Sequence, residues 1–335
     1  MKVANLYGPG ELRIDEVEAP RAGGADVVIK VAACGICGTD LSFVRGGSFR
    51  DGAMPLGHEA AGVVTQVGPD VRGLAPGARV AINPMGDAAN VIGNGGSEGA
   101  FADYLLVRNA ELGRNLITVP DNLPLSIAAI AEPLGVALHA VNRSQIQPGE
   151  KAVVFGVGPI GLGAVIWLKE RGAKHIVAVD LSPERLALAK HFGAETLVLA
   201  DREDIATRLR EALGQVSLMG SSRIDADVYI DAAGAPTNLP IVVANAKLHA
   251  RMVVPAVHRE PVPLNLGQML MNEMSITTSM GYPHEFERVV ERLAEDPEYF
   301  EPYITTRFPF DRFHEAFAAA SQRTSGKVMV EFEPT

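Results

Sequence analysis

Two cysteines, one histidine and one glutamate in this chain have the residue types and spacing of ligands for a transition-metal ion. Cys34 and Cys37 are the only cysteines, and they lie in the string Cys-Gly-Ile-Cys-Gly-Thr-Asp. His58 follows within Gly-His-Glu, and Glu132 follows within Glu-Pro-Leu. One thiolate, one imidazole and one carboxylate suit a borderline-soft divalent ion such as Zn²⁺, and three protein ligands leave a fourth position open for water or substrate.

The pair Cys34 and Cys37 also fits two other roles, a Cys-x-x-Cys redox pair and half of a four-cysteine zinc knuckle. Both roles are disfavoured, because the chain has no second cysteine pair and because the motif lies in a β-rich region rather than at the start of a thioredoxin-like βα turn. So few cysteines also argue against a disulfide framework.

A second chemical motif is a glycine-rich turn between an apolar run and an apolar segment with helical periodicity. Gly156, Gly158 and Gly161 have the G-x-G-x-x-G spacing of a turn that binds a dinucleotide. The first glycine allows a sharp turn, the second leaves room for a pyrophosphate, and the third lets the next helix pack close to the strand. The N-terminus of that helix would present free N–H groups and a partial positive charge to the phosphates.

Asp180 ends a second apolar run, residues 176–179, at the distance beyond the glycines where an acidic residue contacts the adenosine ribose. Such a carboxylate accepts hydrogen bonds from the ribose hydroxyls and repels a 2′-phosphate, which favours NAD over NADP. The alternative is a glycine-rich turn in another kind of α/β protein, in which Asp180 only caps the helix that begins near Ser182.

Length and composition indicate an ordinary globular protein of two domains. A chain of 335 residues is long for one core, and its 47% hydrophobic share can fill sizeable cores. The formal net charge of −10 disfavours nucleic acid and anionic membrane surfaces as partners. Because the N-terminus has no apolar signal core and no apolar run approaches a membrane span, we expect a soluble, cytoplasmic protein.

The kind of secondary structure predicted to position these motifs changes along the chain. The first third has short alternating stretches separated by turns, which predicts small antiparallel strands, and residues 83–99 are too rich in glycine and asparagine for a regular element. Residues 126–141 have helical periodicity that is interrupted at Glu132, which we expect to be exposed between two helices because proline follows it. Beyond residue 150, β and α segments alternate, which predicts a parallel, doubly wound sheet.

Four strings taken together resemble the zinc-dependent medium-chain dehydrogenase/reductase (alcohol dehydrogenase-like) family. They are residues 34–40, 57–62, 132–134 and 156–161, and they occur in the family's order. Within the family, the chain is similar over essentially its whole length to the sorbitol, threonine and butanediol dehydrogenase branch. The resemblance implies an α/β protein with a β-rich GroES-like catalytic domain, residues 1–133 completed by 282–335, and a doubly wound Rossmann domain, residues 134–281.

The resemblance also implies roles for residues around the metal. Cys37 and His58 match the first two ligands of the catalytic zinc, and Glu132 stands where the sorbitol dehydrogenase branch has its glutamate. Glu59 matches a residue that can approach the metal as a fourth ligand. Further matches are Asp40, a carboxylate that orients the ligand histidine, Thr39, a hydroxyl that passes the substrate proton outward, and Cys34, which is not a ligand and is expected to be a small buried hydrophobe.

For the cofactor, the resemblance implies a binding set of Gly156, Gly158, Pro159, Ile160, Gly161, Asp180 and Arg185, all consistent with NAD. Lys327 matches a basic residue that contacts the pyrophosphate, although a solvated lysine at the start of an edge strand is an equal alternative. Candidates for the walls of the substrate pocket are Phe43, Phe49, Phe101 and Tyr282.

Three departures from the family pattern narrow these expectations. Residues 83–99 lack the four cysteines of the family's structural zinc lobe, so we predict one catalytic zinc and no structural zinc. Ser42 replaces the histidine that completes the proton relay in many relatives. Gly281 stands where the sorbitol enzymes carry an arginine before a tyrosine, so a sugar alcohol is not assured as the substrate.

The sequence therefore predicts a zinc-dependent oxidoreductase that transfers a hydride between a secondary alcohol or polyol and NAD⁺, giving the ketone. Two alternatives remain open. One is a zinc-free reductase that uses NADPH, and the other is a cofactor-binding protein on the same fold without catalysis. From the resemblance we expect a homodimer or homotetramer formed through the nucleotide-binding domain.

Overall fold

The computed structural model describes residues 1–47, 52–200 and 204–333, and the chain divides into two compact units. The first unit comprises Met1–Glu132 and His284–Thr335, and the second comprises Pro133–Pro283. These boundaries lie one and two residues away from the expected ones. Each unit has its own hydrophobic core, as expected for a chain of this length.

The N-terminal part of the first unit consists mainly of short strands, as its alternating sequence predicts. Its strands are β1 Lys2–Leu6, β2 Leu12–Glu16, β3 Val27–Gly35, β4 Met54–Pro55, β5 Glu59–Val67, β6 Arg79–Ile82, β7 Tyr104–Val107 and β8 Leu116–Thr118. Its helices are α1 Gly38–Gly46, which begins within the cysteine motif, and α2 Leu125–Ala128. Helix α3 Ala131–Ser144 begins at the end of this unit.

The second unit alternates strands and helices around a six-stranded parallel sheet. The elements are β9 Lys151–Phe155, α4 Pro159–Glu170, β10 His175–Asp180, α5 Pro183–His191, β11 Thr196–Leu199, α6 Ile205–Leu213, β12 Gln215–Leu218, β13 Ser221–Ile224, β14 Val228–Asp231, α7 Asn238–Asn245, β15 Arg251–Val254, α8 Leu266–Asn272 and β16 Ser275–Thr278. The strand order is β11-β10-β9-β14-β15-β16, so the order reverses between β9 and β14. Ligands of doubly wound sheets bind at such a point, outside the carboxyl ends of the strands.

The C-terminal residues return to the first unit and complete its large sheet, as predicted. They form α9 Phe286–Glu295, α10 Pro297–Phe300, β17 Ile304–Pro309, α11 Phe313–Ala320 and β18 Lys327–Glu331. The sheet order is β17-β18-β3-β5-β6-β8, with β7 also paired to β3. In this register Gly35 lies opposite Glu59 on one side and opposite Met329 on the other, so the end of β3 and the start of β5 and β18 come together.

Several local features differ from the sequence predictions. The helices α1 and α8, the hairpin of β12 and β13 and the strand β17 were not predicted, because these elements are short and the segment around β17 is rich in proline. The break between α2 and α3 falls at residues 129–130, ahead of Glu132. Pro133 is tolerated because it lies in the first turn of α3, where its missing N–H has no partner to lose.

One helical stretch, Leu125–Ser144, is long and apolar enough to cross a membrane by length and composition alone, contrary to the prediction that no run approaches that length. In the structure 72% of its most apolar window is buried inside the protein. A buried core helix passes the same test, because its apolar residues face other parts of the protein.

Candidate metal centre and nucleotide-binding site

Cys37 occupies the N-cap of α1, two residues beyond the end of β3. The backbone N–H of Cys37 donates to Oδ2 of Asp40 at 2.9 Å, and the backbone N–H of Gly57 donates to Oδ1 of the same carboxylate at 3.2 Å. The fully buried Asp40 therefore ties the start of α1 to the residue before His58. Thr39 lies in the first turn of α1, with Oγ1 3.6 Å from Sγ of Cys37.

His58 immediately precedes β5, and the backbone around it requires glycine. Gly57 has φ +92°, and a Cβ there would lie 2.7 Å from the backbone nitrogen of Phe101. The imidazole of His58 is buried, with Nδ1 3.7 Å from Oδ1 of Asp40. That distance is too long for a hydrogen bond. The carboxylate of Asp40 therefore lies near the ring of His58 but does not orient it through a hydrogen bond, although an orienting role was expected.

The structure brings three potential ligands together. Sγ of Cys37, a ring nitrogen of His58 and a carboxylate oxygen of Glu59 all lie within 4.8 Å of one another. Ligand atoms around a tetrahedral zinc ion are separated by roughly 3.3 to 3.8 Å, given bond lengths of about 2.0 to 2.3 Å. The donor set and its spacing fit such an ion after small side-chain movements.

Glu132 does not belong to that group of three, but its charge acts on it. The residue is buried, 7% exposed, in the first turn of α3, which corrects the expectation that it is exposed at a helix junction. Burial lowers the pKa values of His58 and Lys327, and among the negative groups that raise them Glu132 comes after Asp40 and Cys37 for His58 and after Glu59 and Cys37 for Lys327. Glu132 thus remains a predicted ligand, with Glu59 as a rival for the same role.

Negative groups outnumber positive ones in this buried region. Asp40, Glu59 and Glu132 are all buried, and burial raises the pKa of Asp40. Burial opposes the charged form of His58, but Asp40 and then Cys37 raise its pKa well above the usual value. An unbalanced group of buried anions is costly unless cations compensate it, so the cluster has the electrostatics of a cation site.

Lys327 is the compensating cation that the sequence did not reveal. Its buried Nζ lies 2.6 Å from Oε1 of Glu59 and 3.0 Å from the carbonyl oxygen of Ile36, so the alternative of a solvated lysine is wrong. These contacts also differ from the predicted role at a pyrophosphate. A Cβ at Gly35 would lie 2.2 Å from Oε2 of Glu59, so only glycine leaves room for this ion pair.

Tyr303 is a second residue of this cluster that no motif indicated. It is fully buried, and burial followed by the charges of Glu59, Glu132 and Cys37 raises its pKa well above the usual value. Cys34 is also fully buried, and burial raises its pKa, which confirms the prediction of a small buried hydrophobe. The role of Cys34 was predicted from the family pattern, in which it is not a ligand, whereas no sequence signal pointed to Tyr303.

The predicted substrate residues that the structure describes differ in their burial and in the unit to which they belong. Phe101 is fully buried, with its ring 4.9 Å from that of Phe313, so it is a core residue and not a pocket wall. Phe43 is half-buried against the same core, and Phe49 lies outside the described residues. Tyr282 belongs to the second unit, where its buried ring packs against Gly135. Ser42 is half-buried in α1.

The glycine turn follows β9 and has the geometry that its sequence predicts. Gly156 has φ +77°, and a Cβ there would lie 2.7 Å from the Cβ of Ala233. A Cβ at Gly161 would lie 1.8 Å from the carbonyl oxygen of Gly156, so the helix could not pack as close. Gly158 is the N-cap of α4, followed by Pro159 and Ile160 in the first turn.

Asp180 lies at the carboxyl end of β10, beside this turn. Its Oδ2 accepts from the backbone N–H of Val157 at 2.7 Å and its Oδ1 from that of Ser182 at 2.9 Å. The cap of α5 is Ser182, whose Oγ accepts from the N–H of Arg185 at 3.2 Å, so the alternative that Asp180 only caps this helix is wrong. Burial lowers the pKa of Arg185, whose guanidinium lies 3.6 Å from where a Cβ of Gly158 would be.

The turn therefore fits a dinucleotide. The glycines keep side chains away from the N-terminus of α4, and its backbone N–H groups are of the kind that bind phosphates. The carboxylate of Asp180 lies at the neighbouring strand end, where the motif requires an acidic group.

Two models of known protein families match this chain. Residues 23–121 match the alcohol dehydrogenase GroES-like domain, and residues 159–295 match the zinc-binding dehydrogenase domain. The chain is 30% identical to sorbitol dehydrogenase from Rattus norvegicus over 98% of its own length and 95% of that protein.

Solved structures show the same similarity. The structure of 2R,3R-butanediol dehydrogenase from Bacillus subtilis matches with a TM-score of 0.88 at 28% identity, covering 100% of this chain and 99% of that one. A short chain alcohol dehydrogenase from Escherichia coli CFT073, complexed with NADH, matches with a TM-score of 0.85 at 27% identity over 99% of both chains. The chain therefore belongs to the zinc-type medium-chain dehydrogenase/reductase family and is an oxidoreductase that acts on alcohols or polyols.

Proposed function

We propose that the protein is a zinc-dependent oxidoreductase that transfers a hydride from a secondary alcohol or polyol to NAD⁺ and releases the ketone. The observation that carries this proposal is the cluster of half-buried Cys37 with buried His58 and Glu59, in which excess negative charge surrounds donor atoms that zinc prefers. The similarity to sorbitol and butanediol dehydrogenases supports the substrate class.

In this proposal Cys37 and His58 would hold a single zinc ion, with Glu132 as the third ligand. Glu59, which the structure pairs with Lys327, is the residue that could approach as a fourth. When bound, zinc supplies a Lewis acid to the alcohol group of the substrate. No structural zinc is proposed, because residues 83–99 contain no cysteine.

Residues of α1 are proposed to move the proton of the substrate alcohol. Thr39 is proposed to relay the proton of the substrate alcohol, because its hydroxyl lies 3.6 Å from Sγ of Cys37. Oγ1 of Thr39 would accept that proton while giving up its own hydroxyl proton. Asp40 fixes the start of α1, which carries Thr39, through the backbone N–H of Cys37. Ser42, one turn further along α1, occupies the position of the relay histidine of many relatives, and its half-buried hydroxyl would pass a proton on to solvent in the same way.

The choice of NAD rather than NADP rests on Asp180. Its carboxylate accepts two backbone hydrogen bonds and still has free lone pairs for ribose hydroxyls. A 2′-phosphate would be repelled by the same negative charge. A nicotinamide dinucleotide in general is supported by the glycine turn and by the NADH-bound relative.

The test is turnover of a panel of secondary alcohols and polyols with NAD⁺ and with NADP⁺, followed by absorbance at the NADH band. We expect turnover of at least one alcohol with NAD⁺, its loss after treatment with a chelator and its recovery with zinc. Cys37→Ala should be inactive because it removes a proposed ligand. The matched variant Cys34→Ala should retain turnover, because Cys34 is a core residue and not a proposed ligand.

Two outcomes would replace this proposal with one of the alternatives. Turnover that survives complete zinc removal and prefers NADPH would indicate a zinc-free reductase. Dinucleotide binding without turnover of any alcohol, in zinc-loaded protein, would indicate a cofactor-binding protein without catalysis. A cytoplasmic location, and the absence of nucleic-acid and membrane partners, remain predictions from the sequence.

A further inference from the structure

A histidine–aspartate pair lies in the second unit, outside every motif described above. Nε2 of His258 is 3.0 Å from Oδ2 of Asp231, which is fully buried. The other oxygen of Asp231 accepts from the backbone N–H groups of Ala233 and Gly234 at 3.2 and 3.0 Å, and from the side chain of Asn238 at 2.9 Å. Asp231 therefore fixes both the loop after β14 and the ring of His258.

The pair lies at the ligand-binding edge of the parallel sheet. Asp231 is the last residue of β14, the strand next to β9 across the point where the strand order reverses. His258 follows β15, the next strand in the order. The loop after β14 touches the glycine turn, because Ala233 is the residue that a Cβ at Gly156 would meet, and it touches the loop after β15 at Val257.

The protonation of the pair leaves one ring nitrogen available. An ionised carboxylate only accepts hydrogen bonds, so the Nε2–H of His258 donates to Oδ2 of Asp231, and Nδ1 of the neutral ring is then an acceptor. The side chain of His258 is 17% exposed. No group among the described residues occupies Nδ1 with a hydrogen bond, so this atom can accept a hydrogen bond from a ligand.

The order of sites along the edge indicates what that ligand is. Asp180 is the last residue of β10, on one side of β9, and corresponds to the adenosine ribose. The glycine turn after β9 corresponds to the pyrophosphate. A dinucleotide that spans the reversal point places its other half toward β14 and β15. Those are the strands that carry Asp231 and His258.

We propose that His258, held by Asp231, binds the nicotinamide-ribose half of the dinucleotide, with Nδ1 accepting a hydrogen bond from a ribose hydroxyl. This inference rests on the proposed dinucleotide function of the second unit, and it adds a binding residue that the glycine motif does not include. His258 is assigned to cofactor binding, and it takes no proton from the substrate.

The experiment is calorimetric titration with two probes, NAD⁺ and ADP, of which ADP lacks the nicotinamide ribose. His258→Ala should weaken NAD⁺ binding by about threefold to tenfold, the value of one hydrogen bond, and leave ADP binding unchanged. His258→Gln should recover part of the loss, because its amide can donate to Asp231 and also accept from a hydroxyl. The matched control is His175→Ala, since His175 has one hydrogen bond, to Thr196, at the opposite edge of the sheet.

Each outcome decides between this inference and its alternatives. Equal loss of NAD⁺ and ADP binding in His258→Ala, together with a lower melting temperature, would show that the histidine only supports the fold. Unchanged NAD⁺ binding in His258→Ala would overturn the inference while the proposed function stands. If the wild-type protein bound neither probe, the dinucleotide function itself would be wrong and this inference with it.

Discussion

Two glutamates, Glu59 and Glu132, are candidates for the third ligand of the proposed zinc ion. Glu59 lies within 4.8 Å of the other two donors but is paired with Lys327, whereas Glu132 is buried and outside that group. We expect Glu132→Ala to lose zinc more readily to a chelator and to lose turnover by about 100-fold, because only two committed ligands remain. NAD⁺ binding should change little, since the glycine turn lies in the other unit.

The control for this prediction is Glu285→Ala, which removes a glutamate of nearly the same exposure, 8% against 7%. The measurement is zinc released to a colorimetric chelator over time, with turnover of the same samples. Wild-type zinc retention in Glu132→Ala, combined with zinc loss in Glu59→Gln, would assign the third ligand to Glu59 instead.

The Lys327–Glu59 pair has a separate consequence for stability. Removing one partner leaves a buried charge uncompensated, so we expect Lys327→Met to lower the free energy of unfolding of the metal-free protein by about 3 kcal/mol. The double variant Lys327→Met/Glu59→Gln should recover part of this loss, because the unpaired charge of Glu59 is then removed as well. Lys190→Met on an exposed surface is the control, and equal stability of Lys327→Met and this control in urea unfolding would refute the prediction.

Asp180 should decide the choice of nucleotide. We expect wild-type protein to prefer NAD⁺ over NADP⁺, and Asp180→Ser to narrow or reverse that preference by at least about tenfold, because both the ribose hydrogen bonds and the repulsion of a 2′-phosphate are lost. The ratio of kcat/KM for the two nucleotides measures it. Glu184→Ser, an exposed acidic residue four positions on, is the control. A wild-type preference for NADP⁺ would be incompatible with this role of Asp180.

Helix α8 and strand β16 carry features that are typical of an interface between copies of a protein. Three apolar side chains of α8 are exposed, Leu266 at 71%, Leu270 at 75% and Met271 at 45%. Strand β16 is the last strand of the six-stranded sheet, so one of its edges is available for pairing within the described residues. We therefore predict that the homodimer or homotetramer expected from the family resemblance forms through this part of the second unit.

We expect Leu270→Glu to convert an oligomer into smaller species, because burying a carboxylate in an apolar interface costs several kcal/mol. Light scattering coupled to size-exclusion chromatography measures the mass. Met219→Glu, on the hairpin of β12 and β13 and 78% exposed, is the control that should keep the wild-type mass. An unchanged mass in Leu270→Glu would place the interface elsewhere.

For the molecule as a whole, local motifs were predictable and long-range contacts were not. Cys37 with its following residues and the glycine turn each carry their chemistry within a few consecutive positions, so the sequence alone located them. The pair of Lys327 with Glu59 joins residues 268 positions apart and depends on the pairing of β18 with β3. No pattern within either segment contains that information.

Burial was the other property that the sequence misjudged. Glu132 was expected to be exposed because proline often ends a helix, but here Pro133 lies in the first turn of α3 and the turn is buried. Phe101 was expected to line a pocket because it is aromatic, yet it packs in the core beside the backbone of Gly57. In both cases tertiary packing overrode a local signal.

We infer that the buried anionic cluster of the first unit holds one zinc ion. Elemental analysis of the purified protein, after exposure to zinc and removal of excess metal, measures this occupancy. We expect about one zinc per chain in wild-type protein, nearly none in Cys37→Ala and an unchanged value in Cys34→Ala. Two tightly held zinc ions per chain, or none in the wild-type protein, would contradict it.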